Sequence, residues 1–418
     1  MRVLFINLHN NNFILKTMND LLVNKKVPNR NWCFVKKLLD EGVEVYNLVT
    51  DMGTSILTSG LLKKRKVGSY ICLQEAKYIL RKNNLARIQC IDNLNKLNLT
   101  KKDILILYSF DLHDNIFFPI YNAATVILNH THFYGDKQSA LLAKKLNPEY
   151  YMCEVDLQKY SKLYRKNYSW FNGKYLNIPF QFEARFKNKT SFKDRKNKVC
   201  AMGNIALLFP LRSNKHKEFC RVYHVNCMQP RRKMIFDHAE ELSLLLDCYS
   251  TINSNEVKTY RIHTYDFELI KKIKKVWNFY SISRFSKYYR SFDMVEKYNE
   301  YKLVVNAEDA NGIYAIGAIE AMACGCALIG CDYGAYEDLG MTAGIHYISY
   351  DGTLKDFRRK AEYYLAPENQ EELEQIAKNG YEFISDNFSE EKLSEKYYQE
   401  LFNIYMEKLD KKECINED

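Results

Sequence analysis

The sequence predicts an α/β protein made of two Rossmann-like halves, and three observations carry that expectation. The chain opens on strand, helix, strand: Arg2 to Leu8 (RVLFINL) is a near-continuous apolar run, Trp32, Val35 and Leu38 share one face of a segment from Asn31 to Glu41, and Val43 to Val49 (VEVYNLV) is apolar again. A second such unit runs from Tyr301 to Glu337, with a strand at Leu303 to Val305, a polar loop holding Asn311-Gly312, a small-residue helix from about Ile316 to Ala323, and a strand at Ala327 to Gly330. The length, 418 residues, is enough for two domains with a core each. Open parallel sheets bind ligands at their strand carboxyl ends, so the loops that follow the strands are where a site is expected.

Composition narrows the class. Hydrophobic residues at 47% and charged residues at 27% describe a globular chain. No run reaches the roughly 18 to 20 apolar residues that span a bilayer, and MRVLFINLHNNN lacks the charged region, long apolar core and cleavage site of a signal peptide. A cytoplasmic protein is expected. The 12 cysteines are scattered, often within apolar runs (Cys33, Cys72, Cys200, Cys324), as small buried hydrophobes of a reducing compartment. Cys324 and Cys326 have no second pair at zinc spacing, and no metal is expected. The formal charge of +10 either reflects a Lys-rich composition or favours phosphate-bearing ligands, anionic headgroups or nucleic acid. No nucleic-acid-binding motif supports the last of these.

After the first strand comes a polar loop, His9 to Asn12, but no G-x-G-x-x-G, so dinucleotide binding there has no support. The loop is a solvated turn or a contact to an acceptor or phosphate. Gly42 stops the first helix. Further strands are read at Asp103 to Tyr108 and at Thr125 to Asn129, the latter followed by His130-Thr131-His132, two histidines at the ligand edge of the sheet. Their side chains either face a ligand or bond to loop backbone. YYMCEV and YLNIPF read as short strands, and the charged run Phe186 to Lys198 as a linker. The domains are therefore placed at 1–190 and 197–388, with a last helix over about 389–410.

The second domain opens on Lys198 to Met202 and then Gly203-Asn204, a strand running into a glycine that lets backbone approach phosphate. Basic residues follow (Arg212, Lys215, Lys217, Arg221), and Pro230 starts a helix with Arg231, Arg232 and Lys233 in its first turn. Cations are disfavoured at a helix N-terminus by some tenths of a kcal/mol each, and a bound diphosphate would reverse the sign. Tyr260 to Thr264 reads as a strand and Phe292 to Tyr298 as a short helix. After a strand at His346 to Ser349, helices are read at Leu354 to Tyr364, Gln370 to Ile384 and Ser389 to Lys408, with Ser389 as N-cap and a frayed tail, KLDKKECINED. Within the central unit, Glu320 lies in a helix otherwise of Ala, Ile, Met, Gly and Cys, and a buried carboxylate needs a partner.

EAMACGCALIGCDYGAYED, from Glu320 on, resembles the donor-nucleotide motif of the retaining glycosyltransferases of family 4, whose pattern is about E-x7-E-A-M-A-C-G, a strand and a G-x-x-E loop. The resemblance is good over about Phe292 to Tyr405 and weaker before it. It implies the GT-B fold: two Rossmann-like domains facing each other across a cleft, with the C-terminal helix crossing back to the N-terminal domain. It implies that Glu320 holds the ribose, that Arg231 and Arg232 hold the diphosphate, and that His130 or His132 reaches the donor sugar. Asp309, Asn311, Gly312, Ile313, Tyr314, Ala315 and Ile316 would line the nucleotide sugar with Gly203 and Asn204, and Glu337 would shape the nucleotide pocket. The first glutamate of the motif is replaced by Gly312, and Asp309 or Glu308 is the candidate to stand in for it.

The activity this implies is transfer of a sugar from a nucleoside-diphosphate donor to a hydroxyl of a saccharide or lipid-linked acceptor, with retention, no obligatory metal and no other cofactor. The setting implied is bacterial surface polysaccharide, lipopolysaccharide or capsule synthesis, with possible peripheral contact at the inner face of the membrane and no nucleic-acid partner. Three alternatives stand beside it: another GT-B enzyme such as a sugar-nucleotide epimerase, a catalytically silent sugar-nucleotide-binding subunit, and a basic nucleic-acid-binding protein.

Overall fold

The computed structural model describes residues 1–10, 31–49, 66–109, 112, 121, 123–130, 135–208, 214–253, 269–270, 273, 277, 292–331 and 335–413. Two compact units emerge. The first comprises Met1–Glu154, Asn167–Ile178 and Glu390–Asp418, and the second Val155–Lys166 and Pro179–Ser389. The boundary expected near 190 is thus displaced. The charged run 186–198 is no linker: Phe186 is buried, Arg195 is buried, and a strand begins at Lys196. Arg195 occupies the interior because its guanidinium donates to Asn188 Oδ1 (2.7 Å), Thr190 O (3.0 Å) and Cys324 O (2.7 Å). A buried cation with such partners reads in sequence like a solvated one.

In the first unit, β1 (Arg2–Ile6), β2 (Glu44–Leu48), β3 (Gln89–Ile91), β4 (Ile104–Tyr108), β5 (Thr125–Asn129), β6 (Tyr150–Cys153) and β7 (Lys174–Asn177) form one parallel sheet in the order β3-β2-β1-β4-β5-β6-β7. Every residue of β4 and β5 is buried, which is why they read as continuous apolar runs rather than alternating ones. β1 ends at Ile6, short of the expected Leu8. Asn7 takes a left-handed φ of 48°, and Leu8–Asn10 forms a 3-10 turn. Asn47 of β2 ties that turn down, accepting from the Leu8 N–H (2.9 Å) and meeting His9 Nδ1 (3.2 Å). His9 is consequently buried, not part of a solvated loop, and burial pushes its imidazole down to about 4. Asn11 and Asn12 lie outside the described residues.

α1 (Trp32–Asp40) buries Phe34, Val35, Leu38 and Leu39. The C-terminal helix, Glu390–Glu413, packs along it with Tyr397 stacked on Phe34 at 4.8 Å and Glu395 paired with Lys37 at 2.6 Å. That helix runs on through Lys408 to Glu413, so the tail read as frayed is helical that far.

In the second unit, β8 (Lys196–Ala201), β10 (Leu246–Cys248), β12 (Tyr301–Val305), β13 (Ala327–Cys331) and β14 (Ile348–Tyr350) form a parallel sheet in the order β10-β8-β12-β13-β14, and β9 (Asn204–Ala206) pairs with β11 (Thr251–Asn253). The strand expected at Tyr260 to Thr264 lies outside the described residues. Each unit is thus a Rossmann-like parallel sheet flanked by helices, as the sequence predicts. Val199, Ala201, Leu303, Val305, Ala327 and Ile329 fill the core of the second. Its strand carboxyl ends are Ala201, Val305, Cys331 and Tyr350, and the candidate site is built on that edge.

Candidate functional site

Two helices begin at this edge. α2 (Pro230–Asp237) starts with Pro230, Arg231, Arg232 and Lys233, and α3 (Ile316–Ala323) starts after the loop that leaves β12. No side chain caps α3 and its first turn has no acid; Ala318 N–H already donates to Ala315 O (2.9 Å), which leaves the helix start before it to face an anion. Its far end is held instead: Cys324 O accepts from Arg195, a cation at the negative end of the helix dipole.

Glu320 stands one turn into α3 at 1% exposure, among Ala318, Ile319, Ala321 and Met322. Its charge is felt by Arg185. Burial works against the Arg185 guanidinium, and the carboxylates of Glu183, Glu320 and Asp293 more than offset it, leaving the group more firmly protonated than usual. The ion-pair partner of Arg185 is Glu183 (2.9 Å), and Glu320 acts on it through charge alone. Arg185, one of three cations in the stretch FEARFKNK, does not stand out in the sequence.

The two arginines of α2 separate. Arg232 turns inward and is buried. Its Nη1 donates to Asn204 O (2.6 Å) and its Nη2 to Asn306 Oδ1 (2.9 Å) and Ala307 O (2.9 Å). It does so across Gly203, where φ is +138° and a Cβ would stand 2.6 Å from the guanidinium carbon. The glycine expected to let backbone approach a phosphate is thus approached by the arginine. Gly203 and Asn204 meet Arg232, whose Nη1 and Nη2 hold the loop while its buried Nε has no hydrogen-bond partner among the described residues. Arg231 goes the other way, half-buried, lying over Gly352 with its Nε 2.6 Å from where a Cβ would be. It sits beside the ends of β13 and β14, and its charge lowers the pKa values of Glu308 and Tyr350, against a larger upward push from burial in both.

Asn306 joins the two helix starts. Besides accepting from Arg232, it packs so closely on Gly317, the second residue of α3, that a Cβ there would stand 1.9 Å from its Nδ2. The loop beyond is internally bonded. Glu308 is fully buried; its Oε1 accepts from Cys331 N–H (3.0 Å) and the Tyr336 hydroxyl (2.6 Å), and its Oε2 has no hydrogen-bond partner among the described residues. Asp309 Oδ1 accepts from Gln229 Nε2 (2.7 Å), the residue before Pro230, so each of the two acids has one oxygen engaged by the protein. Asn311 and Ile313 are buried, and Ile313 O accepts from Asp309 N–H. Tyr314 is buried with its hydroxyl accepting from Phe180 N–H (2.9 Å), which takes it away from a ligand. Ala315 is the residue before α3 and Ile316 its first, half-buried both. Glu337 is exposed on a single helical turn, Ala335–Asp338, and only its carbonyl is used locally, by Gly340 N–H.

Gly312 turns the loop at φ +84°, and a Cβ would come within 2.8 Å of Tyr160 Cβ. Gly312→Ala is expected to lower stability by about 1 to 2 kcal/mol through backbone strain and that contact. A urea titration checks it; an unchanged midpoint would mean the loop is looser than drawn.

The expected histidine of the first unit is differently placed. His130 has no exposed surface and sits edge-on to Tyr151 (centroids 4.5 Å) and Tyr168 (5.3 Å). Burial pushes it down to about 3. A ring so enclosed is core, not a sugar contact, and His132 lies outside the described residues. Because the folded value is below the unfolded value of about 6.5, the unfolded chain binds the extra proton between them. The contribution is whole above about pH 6.5 and drains as pH falls toward 3. Between pH 7 and 4.5 it should remove about 2 to 3 kcal/mol, and His130→Phe should flatten that part of the profile, read by denaturant unfolding at each pH.

Residues 253–397, which hold β12, α3 and β13, match the model of a family described as glycosyl transferase-like. Among curated proteins none matches this chain. Similar solved structures include Anabaena Alr3699/HepE in complex with UDP and glucose, at 10% identity and a TM-score of 0.49, covering 96% of this chain and 100% of that one. A glycosyltransferase from Rickettsia africae, at 12% identity and a TM-score of 0.49, covers 96% and 98%. A sucrose-phosphate synthase from Thermosynechococcus elongatus, at 12% identity and a TM-score of 0.46, covers 96% and 99%.

Proposed function

We propose that this chain is a glycosyltransferase of the GT-B kind, moving a sugar from a nucleoside-diphosphate donor to a hydroxyl of a saccharide or lipid-linked acceptor. The observation that carries it is the junction at Asn306: it brings the uncapped start of α3, with Glu320 one turn in, against the basic start of α2. The glycosyl transferase-like match over 253–397 covers Asn306, α3 and Glu320, though not α2, and supports the reading.

Breaking the anomeric C–O bond puts negative charge on the departing diphosphate. In this reading Arg231 and the N-terminus of α3 meet that charge where it grows, and no resident metal is required. Glu320 accepts from the ribose hydroxyls, which fixes the nucleotide against the helix. The departing phosphate oxygen takes the acceptor proton, consistent with retention of configuration. Arg232 acts at one remove, as a positioning residue. We place the activity in bacterial surface polysaccharide, lipopolysaccharide or capsule synthesis, on an acceptor carried at the membrane.

Incubation with a panel of nucleotide sugars, following nucleoside diphosphate release with and without acceptor, tests this. Release stimulated by an acceptor is expected; absence of both release and nucleotide binding would overturn it. A second reading, a silent sugar-nucleotide-binding subunit, has one observation in its favour. Gly312 occupies the place of the motif's first glutamate, and Asp309 is already engaged by Gln229. Tight nucleotide binding with no release would select it.

A further inference from the structure

We infer that a cleft between the helix Lys66–Lys82 and the edge strand β3, in the first unit, binds a small organic phosphate monoester. The cleft has a volume of about 350 Å³, at the low end of the range for small-molecule sites. Its floor is apolar and buried, with Leu80 at 1% exposure and Ile88 at 5%, while Arg81 and Ala86 stand exposed at its rim. β3 is the last strand of its sheet and pairs with β2, so among the described residues the outer row of its peptide groups has no strand beside it. The cleft therefore joins an apolar bed to a polar edge.

Charge selects the occupant. Lys77 and Arg81 stand at i and i+4, on one face of the helix, and no acid lines the cleft with them. Like charges so placed repel, and among the described residues neither cation makes a hydrogen bond or an ion pair. Lys77 faces the thiol of Cys90 on β3: burial pushes that thiol up, and the Lys77 charge pulls it part of the way back. A dianion set between the two cations removes their repulsion. The Arg81 fork takes two phosphate oxygens and the Lys77 ammonium a third. The negative end of the helix dipole opposes an anion here, but it amounts to roughly half a charge against two whole ones. The apolar floor suits the organic part of an ester, which inorganic phosphate lacks. The site lies wholly in the first unit and shares no residue with the candidate nucleotide-sugar site, so the two readings can fail separately.

Cys90 reports occupancy, because it is half-buried within the cleft. The full-length chain is treated with iodoacetamide, and alkylation of each cysteine-bearing peptide is followed by mass spectrometry. Phenyl phosphate, a dianion on an apolar ring, should slow the alkylation of Cys90 and leave Cys220 of the second unit, also half-buried, unchanged. Inorganic phosphate should need a concentration at least about tenfold higher for the same protection, for want of an apolar part. Lys77→Met with Arg81→Met should raise the phenyl phosphate concentration for half-protection at least about tenfold, each rate being compared with that of the same variant without ligand. Ala86→Trp, which keeps both cations and narrows the rim, should do likewise and carries the test if the double variant folds poorly. Vesicles of phosphatidylcholine with phosphatidic acid, which fix the same anion in a bilayer, should protect no better than phosphatidylcholine alone. The inference is overturned by an absence of protection, by equal protection from the two phosphates, by protection that survives these substitutions, or by protection from the acidic vesicles alone. Any of these results leaves the transferase reading standing, since nucleoside diphosphate release is measured elsewhere in the molecule.

Discussion

Glu320→Gln is expected to weaken nucleoside diphosphate binding about 10- to 100-fold, the loss of one or two hydrogen bonds from ligand hydroxyls to a charged acceptor. Glutamine keeps the volume of the side chain, so the packing of Ile319, Ala321 and Met322 survives. Urea unfolding should therefore move by less than about 1 kcal/mol. Part of the change falls on Arg185, whose firm protonation rests partly on the Glu320 charge. Calorimetric titration with several nucleoside diphosphates reads the affinity. A glutamine variant that binds as the parent does would remove Glu320 from the site; one that fails to fold would show that the carboxylate is wanted by the protein rather than the ligand.

Arg232→Met should cost about 3 to 5 kcal/mol of stability. The change leaves Asn204 O, Asn306 Oδ1 and Ala307 O without the donor that now serves all three. Arg231→Met should cost under about 1 kcal/mol, because that side chain is half-buried and lies over Gly352 rather than inside the loop. Its effect should appear in turnover, lowered more than ground-state binding if the cation meets charge that develops as the diphosphate leaves. Denaturant midpoints and steady-state rates for the pair separate the roles. A stable Arg232→Met with normal rates would mean that the Asn306 junction is not what holds the two helix starts together.

The central βαβ unit was legible because burial on both faces leaves no polar residue in LVV or ALIG, and Glu320 was legible as buried because nothing around it in sequence is polar. What sequence could not supply was the direction of each cation. Arg231, Arg232 and Lys233 look alike at a helix start; Arg232 turns inward because Gly203 leaves room for its guanidinium and Asn306 accepts from it, both far along the chain. Arg195 misled for the same reason, its interior acceptors including the backbone carbonyls of Thr190, Tyr301 and Cys324 and the side chains of Asn188 and Asn299. His130 stands at a strand end as expected, yet Tyr151 and Tyr168 close over it, and ring packing from later elements leaves no periodic trace.

The helix bearing Glu320 is clasped at both ends. Arg195 holds the carbonyl of its C-terminal cap, Cys324, and Asn306 presses on its second residue while bonded to Arg232. A support fixed in this way has little freedom left to surrender when a nucleotide arrives, so the entropy of ordering is spent in folding and not in binding. Affinity at this helix should then respond mainly to which polar groups the ligand offers, and only weakly to changes that merely stiffen the surrounding chain.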